Sequence, residues 1–115
     1  MISRSWLEFC PSKRHTGLVQ FNPQAAGKVL NAATSLRPSL GIVLGSAFGQ
    51  VAESIEVDAI IDFADLPGCA ASSVEGHIGQ FIIGRLGGVV VLAQAGRLHY
   101  YEGHSMAQVT YPIRI

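Results

Sequence analysis

The stretch that most constrains this fold is Gln80-Phe-Ile-Ile-Gly-Arg-Leu86, then Gly87-Gly88, then Val89-Val-Val-Leu-Ala-Gln94. Two β-rich segments separated by two glycines predict a tight hairpin, because the turn needs positive φ angles that glycine adopts without strain. Val89 to Ala93 is the most hydrophobic run in the chain and reads as a buried strand. Directly after it comes Gly96-Arg-Leu-His-Tyr-Tyr-Glu-Gly103, the densest cluster of reactive and ion-binding side chains. If that cluster continues the strand, the two-residue period puts Arg97, His99 and Tyr101 on one face and Leu98 and Tyr100 on the other. A cation, an imidazole and a phenol in a row suit an anion-and-sugar binding edge. The competing reading is a strand end whose polar residues simply meet water.

A second strand, Leu40-Gly-Ile-Val-Leu44, runs straight into Gly45-Ser-Ala-Phe-Gly49 and then a helical stretch, Gln50 to Ser54. A strand, a Gly/Ser turn and a helix together offer backbone N–H groups to an anion, and Ser46 adds a hydroxyl. The turn is neither a nucleotide-hydrolase phosphate loop nor a dinucleotide fingerprint, so a plain strand-to-helix connection also fits it.

Elsewhere, Asn22-Pro23 predicts a helix start, with Ala25, Ala26, Val29, Leu30 and Ala33 as its buried stripe and Arg37-Pro38 as its end. Glu56 to Phe63 is a further strand candidate, and Asp65 to Gly68 a turn. His77 lies between Gly76 and Gly79, where a sharp backbone turn can expose the ring; a lone histidine is more often a surface or structural group than a ligand, and the flanking glycines narrow that margin. Ser105 and Gln108 predict a capping box for a last helix with Met106, Val109, Thr110 and Ile113 on one face, and Pro112 kinking or ending it. Residues 1–21 read as irregular. Strands and helices intermix along the chain, which predicts an α/β fold.

With 115 residues, the chain is at most one small domain. Its composition is 49% hydrophobic and 14% charged, too apolar for a disordered segment. Such apolarity in so short a chain implies an oligomer interface or further chain to cover it. Eight basic and eight acidic residues balance without a basic block, which excludes an electrostatic footprint for nucleic acid. Apolar segments fall short of the roughly 20 residues of a membrane span. The N-terminus lacks the apolar core of a signal peptide, which predicts a cytoplasmic protein with Cys10 and Cys69 as free thiols. A metal site from His77, His99 and His104 is not expected, because no ligand spacing recommends it.

Four segments, in order, resemble one family, the trimeric purine nucleoside phosphorylases. Leu40-Gly-Ile-Val-Leu-Gly-Ser-Ala-Phe-Gly49 is similar to their glycine-serine phosphate loop, and Ser73-Val-Glu-Gly-His-Ile-Gly79 to their Val-x-Gly-His-x-Gly segment. Gly96 to Gly103 resembles their Gly-Arg-x-His-x-Tyr-Glu-Gly motif, and Val109-Thr-Tyr-Pro-Ile-Arg-Ile115 the segment after it. The resemblance implies a mixed-sheet, three-layer phosphorylase/nucleosidase-like fold. It also implies phosphorolysis of purine (deoxy)ribonucleosides to free base and (deoxy)ribose 1-phosphate. Ser46, His77, Arg97 and His99 are then expected to bind phosphate, with His99 also the catalytic position, and Tyr101 to contact the sugar. Glu102 is expected to orient a His or Arg side chain. Inorganic phosphate is a co-substrate, no cofactor or metal is implied, and the full-length protein is expected to be a homotrimer.

The chain departs from the family's Gly-Ser-Gly-Leu-Gly at Ala47 and Phe48, and has Ala95 where Gln is usual. Ala47 restricts the loop if that position needs a positive φ. The family's purine-recognising Glu and Asn have no counterpart here, and the sequence stops at Ile115 in mid-element. The expectation is therefore an incomplete single domain over residues 1–115, resembling the first two-fifths or so of a phosphorylase, with little turnover of its own. A methylthioadenosine phosphorylase-like member and a truncated, non-catalytic phosphate-binding or assembly fragment are the alternatives.

Overall fold

The computed structural model describes residues 21–71 and 79–115. Its centre is one four-stranded mixed sheet built from β1 (Leu40–Leu44), β2 (Glu56–Asp62), β3 (Gln80–Leu86) and β4 (Val89–Ala95). The spatial order is β1-β4-β3-β2, with β1 and β4 parallel and the other neighbours antiparallel. The expected hairpin is present: Leu86 pairs with Val89 across Gly87 and Gly88, whose φ angles are 58° and 83°. Helices α1 (Pro23–Ala33), α2 (Gly49–Glu53) and α3 (Met106–Arg114) complete the α/β architecture.

Strand periodicity divides the core into two layers. Phe81 and Ile83 face Ala26 and Leu30 of α1, together with Ile61, Phe63, Leu66 and Leu98. Ile82, Val91 and Ala93 face the other way, toward Leu44, Ile55 and the apolar side of α2. Gly84 is where the sheet leaves no room: a Cβ there would collide with the Glu56 carbonyl on the neighbouring strand. Gly79 is similarly tight against the Phe63 ring, and its carbonyl accepts from the Phe63 N–H at 2.9 Å.

Asn22 caps α1 as expected, its side chain accepting from the Ala25 N–H at 3.0 Å. The helix ends at Ala33, ahead of Arg37-Pro38. Thr34 turns to an extended conformation, donates from its hydroxyl to the Asp58 carboxylate, and accepts from the Leu36 N–H at 3.1 Å. Asp58 sits in an irregularity of the β2–β3 register. A side-chain hydrogen bond to another element thus stops the helix before proline has to.

The Ser105–Gln108 capping box opens α3 as expected, and the most buried residues of the helix lie off the Met106, Val109, Thr110 and Ile113 stripe. Tyr111 and Pro112 are buried, whereas Met106 and Ile113 are exposed. The Tyr111 hydroxyl donates to the Pro67 carbonyl at 2.7 Å and accepts from the Asn22 N–H at 3.1 Å, and Phe21 packs on its ring. Satisfying both backbone groups rotates Tyr111 inward, and the helix continues past Pro112 to Arg114. The irregular reading of residues 1–20 falls outside the described residues. Cys69 is a free, half-buried thiol, and burial pushes its pKa up to about 11, which keeps it protonated at neutral pH.

Gly84→Ala is expected to lower stability by about 2 kcal/mol or more in urea unfolding, because the obstruction is backbone. Gly41→Ala, whose added Cβ meets nothing within 4 Å, should be close to neutral. Equal stability of the two variants would contradict this packing.

Candidate functional site

The parallel pairing of β1 with β4 sets the site. Leu44 lies opposite Ala95, so the loops leaving both strands emerge at the same end of the sheet. Strand β3 starts at that end too, since Gln80 also pairs with Ala95. The two loops enclose a cleft of about 430 Å³ lined by Ser46, Phe48, Arg97, His99 and Tyr101. A smaller cavity of about 170 Å³ between α1 and the sheet is bordered by Leu30, Ile83, Leu92 and Ile115, with no titratable side chain. The titratable side chains of the two cavities therefore lie in the first.

In the Gly45–Gly49 turn, the Phe48 N–H donates to the Gly45 carbonyl at 3.0 Å. No backbone carbonyl among the described residues claims the N–H groups of Ser46 and Ala47. Ala47 does not occupy the left-handed region, nor does any other described non-glycine residue. The alanine therefore sits in this turn without the strain that a positive φ would impose. Ser46 is exposed to the cleft.

The second loop is not the extended continuation of β4 that its sequence suggests. The strand ends at Ala95, and Gly96 turns the chain with φ 81°. The buried Gln94 amide donates to the Gly96 carbonyl at 3.3 Å and helps hold that turn. Leu98 is buried in the core, and Arg97 and His99 on either side of it line the cleft. Tyr100–Glu102 form a 3₁₀ turn, closed by Gly103 at φ 89°. The expected grouping of Arg97, His99 and Tyr101 survives, produced by a buried leucine anchor and a turn. Tyr100 is exposed and does not line the cleft.

Glu102 organises the loop from beneath. Its carboxylate accepts from the His99 backbone N–H at 2.7 Å and lies 3.2 Å from the His99 ring Nδ1. The Glu102 side chain is 2% exposed, against 32% for His99, so a buried carboxylate supports a ring that reaches the cleft. The His99 side chain in turn accepts from the Glu102 backbone N–H, a reciprocal capping box that fixes the ring and leaves Nε2 as its other hydrogen-bonding edge. The other side of the imidazole stacks on Tyr101, with ring centroids 4.8 Å apart and 17° between planes. The orienting role expected of Glu102 is thus directed at His99.

His77 falls outside the described residues. Gly79, which follows its segment, stands at the same sheet end. Among the described residues, no group of three His, Cys, Asp or Glu side chains is placed to hold a metal ion, and no helix is long and apolar enough to cross a membrane. Phe48 lines the cleft, which its sequence position as a substituted loop residue did not indicate; an exposed aromatic beside a glycine-serine turn was the available signal.

The fold and cleft define an α/β unit with a cationic, hydroxyl-lined recess at one end of its sheet. In sequence and in fold, the chain is related to the purine nucleoside phosphorylases. It is 46% identical over 78 residues to purine nucleoside phosphorylase 1 of Bacillus subtilis, covering 68% of this chain and 29% of that protein. Purine nucleoside phosphorylase 1 of Geobacillus stearothermophilus is 40% identical over 92 residues, covering 80% of this chain and 34% of the relative. Isoform 2 of the Schistosoma mansoni enzyme, solved with cytosine and ribose-1-phosphate, superposes with a TM-score of 0.73 at 34% identity, covering 81% of this chain and 33% of that one. No protein-family model matches. The chain spans about a third of the length of the curated relatives it matches.

The Glu102 contact makes a prediction about His99. In two-bond ¹H–¹⁵N spectra, Glu102→Leu, which removes the carboxylate from both the His99 backbone N–H and its ring, should shift the His99 ring nitrogens and the His99 amide together. Unchanged ring and amide signals in Glu102→Leu would contradict the contact.

Proposed function

We propose that the cleft is the phosphate-and-pentose half of a nucleoside phosphorylase site, in a protein that phosphorolyses purine (deoxy)ribonucleosides. The observation that carries this reading is the convergence of Ser46, Arg97, His99 and Tyr101 from two separate loops into one recess. The relatedness to purine nucleoside phosphorylases supports it, as does a structural relative solved in complex with ribose 1-phosphate, matched at TM-score 0.72 and 33% identity.

In this reading Arg97 supplies a charge-assisted bond to phosphate, while Ser46 and the unclaimed N–H groups of its turn complete the cradle. His99, held by Glu102, directs its Nε2 edge at the same anion and is the catalytic position. His77 joins as a further phosphate ligand. A phosphate oxygen attacks the anomeric carbon as the bond to the purine nitrogen breaks. The electron pair leaves with the base, which takes up a proton, and the new C–O bond gives pentose 1-phosphate. Positive charge building on the sugar is stabilised by the phosphate held beside it, and Tyr101 contacts the sugar. Inorganic phosphate is the co-substrate and no cofactor takes part.

Purine recognition falls to residues outside these 115, so turnover belongs to a protein of the relatives' length, as a cytoplasmic homotrimer. Exposed Leu40, Ile60 and Ile113 offer apolar surface for such assembly or for further chain to cover. The coverage of about a third favours a second reading for the 115 residues taken alone: a non-catalytic, phosphate-binding fragment.

A protein of the relatives' length that carries these residues should convert inosine and phosphate to hypoxanthine and ribose 1-phosphate. Arg97→Ala should lower kcat/KM for phosphate by about tenfold or more, with little change in unfolding midpoint, because the side chain is exposed. Absence of activity on inosine, guanosine and methylthioadenosine, or an unchanged phosphate dependence in the variant, would count against the reading.

A further inference from the structure

We propose that Phe48 is a specificity-determining residue of the cleft, an apolar wall for the carbon face of a pentose 1-phosphate; this rests on the reading given under Proposed function.

Phe48 lines the same recess as Ser46, Arg97 and His99, yet it is 55% exposed. It belongs to neither hydrophobic core layer, so its ring is spared from packing. Its backbone, by contrast, is fixed. Its N–H donates to the Gly45 carbonyl, and its own carbonyl accepts from the Val51 N–H at 3.0 Å and the Ala52 N–H at 3.4 Å. The ring lies alongside Gly45, with Cδ2 3.7 Å from where a Cβ on that glycine would stand. The phenyl group is therefore held at the edge of the anion turn by three backbone hydrogen bonds, while its face is left to solvent. Tyr101, 79% exposed, stands on the opposite loop and lines the same recess.

This arrangement matches a particular chemistry. Arginine, imidazole and serine suit a phosphate oxygen, but free inorganic phosphate has no apolar surface to cover a phenyl ring. A pentose 1-phosphate has both parts: an anionic end for the polar groups, and a ring of C–H bonds that pack on an aromatic face. Phe48 carries no charge and its N–H is already used within the turn. Its side chain therefore adds affinity for the sugar and leaves the affinity for phosphate unchanged.

The test is calorimetric titration of the 115-residue chain with inorganic phosphate and, separately, with ribose 1-phosphate. Wild type, Phe48→Ala and Phe48→Tyr are compared, with far-UV circular dichroism confirming equal folding. Wild type should bind ribose 1-phosphate more tightly than phosphate. Phe48→Ala should reduce that preference about five- to tenfold, with the phosphate Kd changed less than about twofold. Phe48→Tyr, which keeps the ring, should restore the preference. Phosphate binding with an unchanged sugar-phosphate preference in Phe48→Ala would overturn the role of Phe48 and leave the phosphate site standing. An equal loss for both ligands would show that Phe48 shapes the anion turn, and would also overturn it. Failure of wild type to bind either ligand would overturn the phosphate-site reading itself.

Discussion

Everything at the candidate site depends on one parallel strand pair. In register from Leu40 opposite Val91 to Leu44 opposite Ala95, β1 and β4 run the same way, so both C-terminal ends open on the same side of the sheet. An antiparallel pairing would have sent the Ser46 turn and the Arg97 loop to opposite ends. Parallel strands need a crossover, and here it is supplied by α2, β2 and the β3 strand of the hairpin. The hairpin is thus the device that returns the chain antiparallel to β3 and parallel to β1. The two glycines at its tip and the absent side chain of Gly84 at its centre are what permit that geometry.

On this scaffold the second loop is organised by burial at two points. Leu98 anchors the chain in the core between two residues that face the cleft, and the Glu102 carboxylate holds the His99 backbone and ring from below. A buried carboxylate costs free energy unless its lone pairs are used, and here it engages the backbone and ring of the histidine it positions. The first loop is simpler: a turn closed by the Phe48 N–H, with Ser46 at its apex side and an unburied phenyl beside it. Preorganisation of the recess therefore comes from backbone hydrogen bonds and one buried acid, with Arg97 an exposed element.

Local signals were legible in the residues wherever the decision was local. Asn22-Pro23, the Ser105–Gln108 capping box and the Gly87-Gly88 hairpin all form as their chemistry dictates, because each needs only neighbours within a few positions. Features settled by distant partners were not legible. Helix α1 stops at Ala33 because Thr34 meets Asp58 on β2, and α3 presents Tyr111 because Pro67 and Asn22 supply partners for its hydroxyl. The Gly96–Gly103 stretch shows the mixture. Its reactive residues are recognisable and do meet in one recess, but by way of a glycine turn and a 3₁₀ segment instead of the strand period its sequence suggests. Phe48 was visible only as a departure from a motif, since its exposure follows from a turn that spares it from the core.

The central claim is that these two loops form one phosphate-binding recess. Titration of the ¹⁵N-labelled 115-residue chain with inorganic phosphate, followed by ¹H–¹⁵N correlation spectra, tests it most directly. The account predicts saturable shifts at the amides of Ser46, Ala47, Arg97 and His99, with one shared Kd, and none at Gly87 and Gly88 at the far end of the sheet. Shifts confined to one loop, or spread without saturation over both ends, would contradict it.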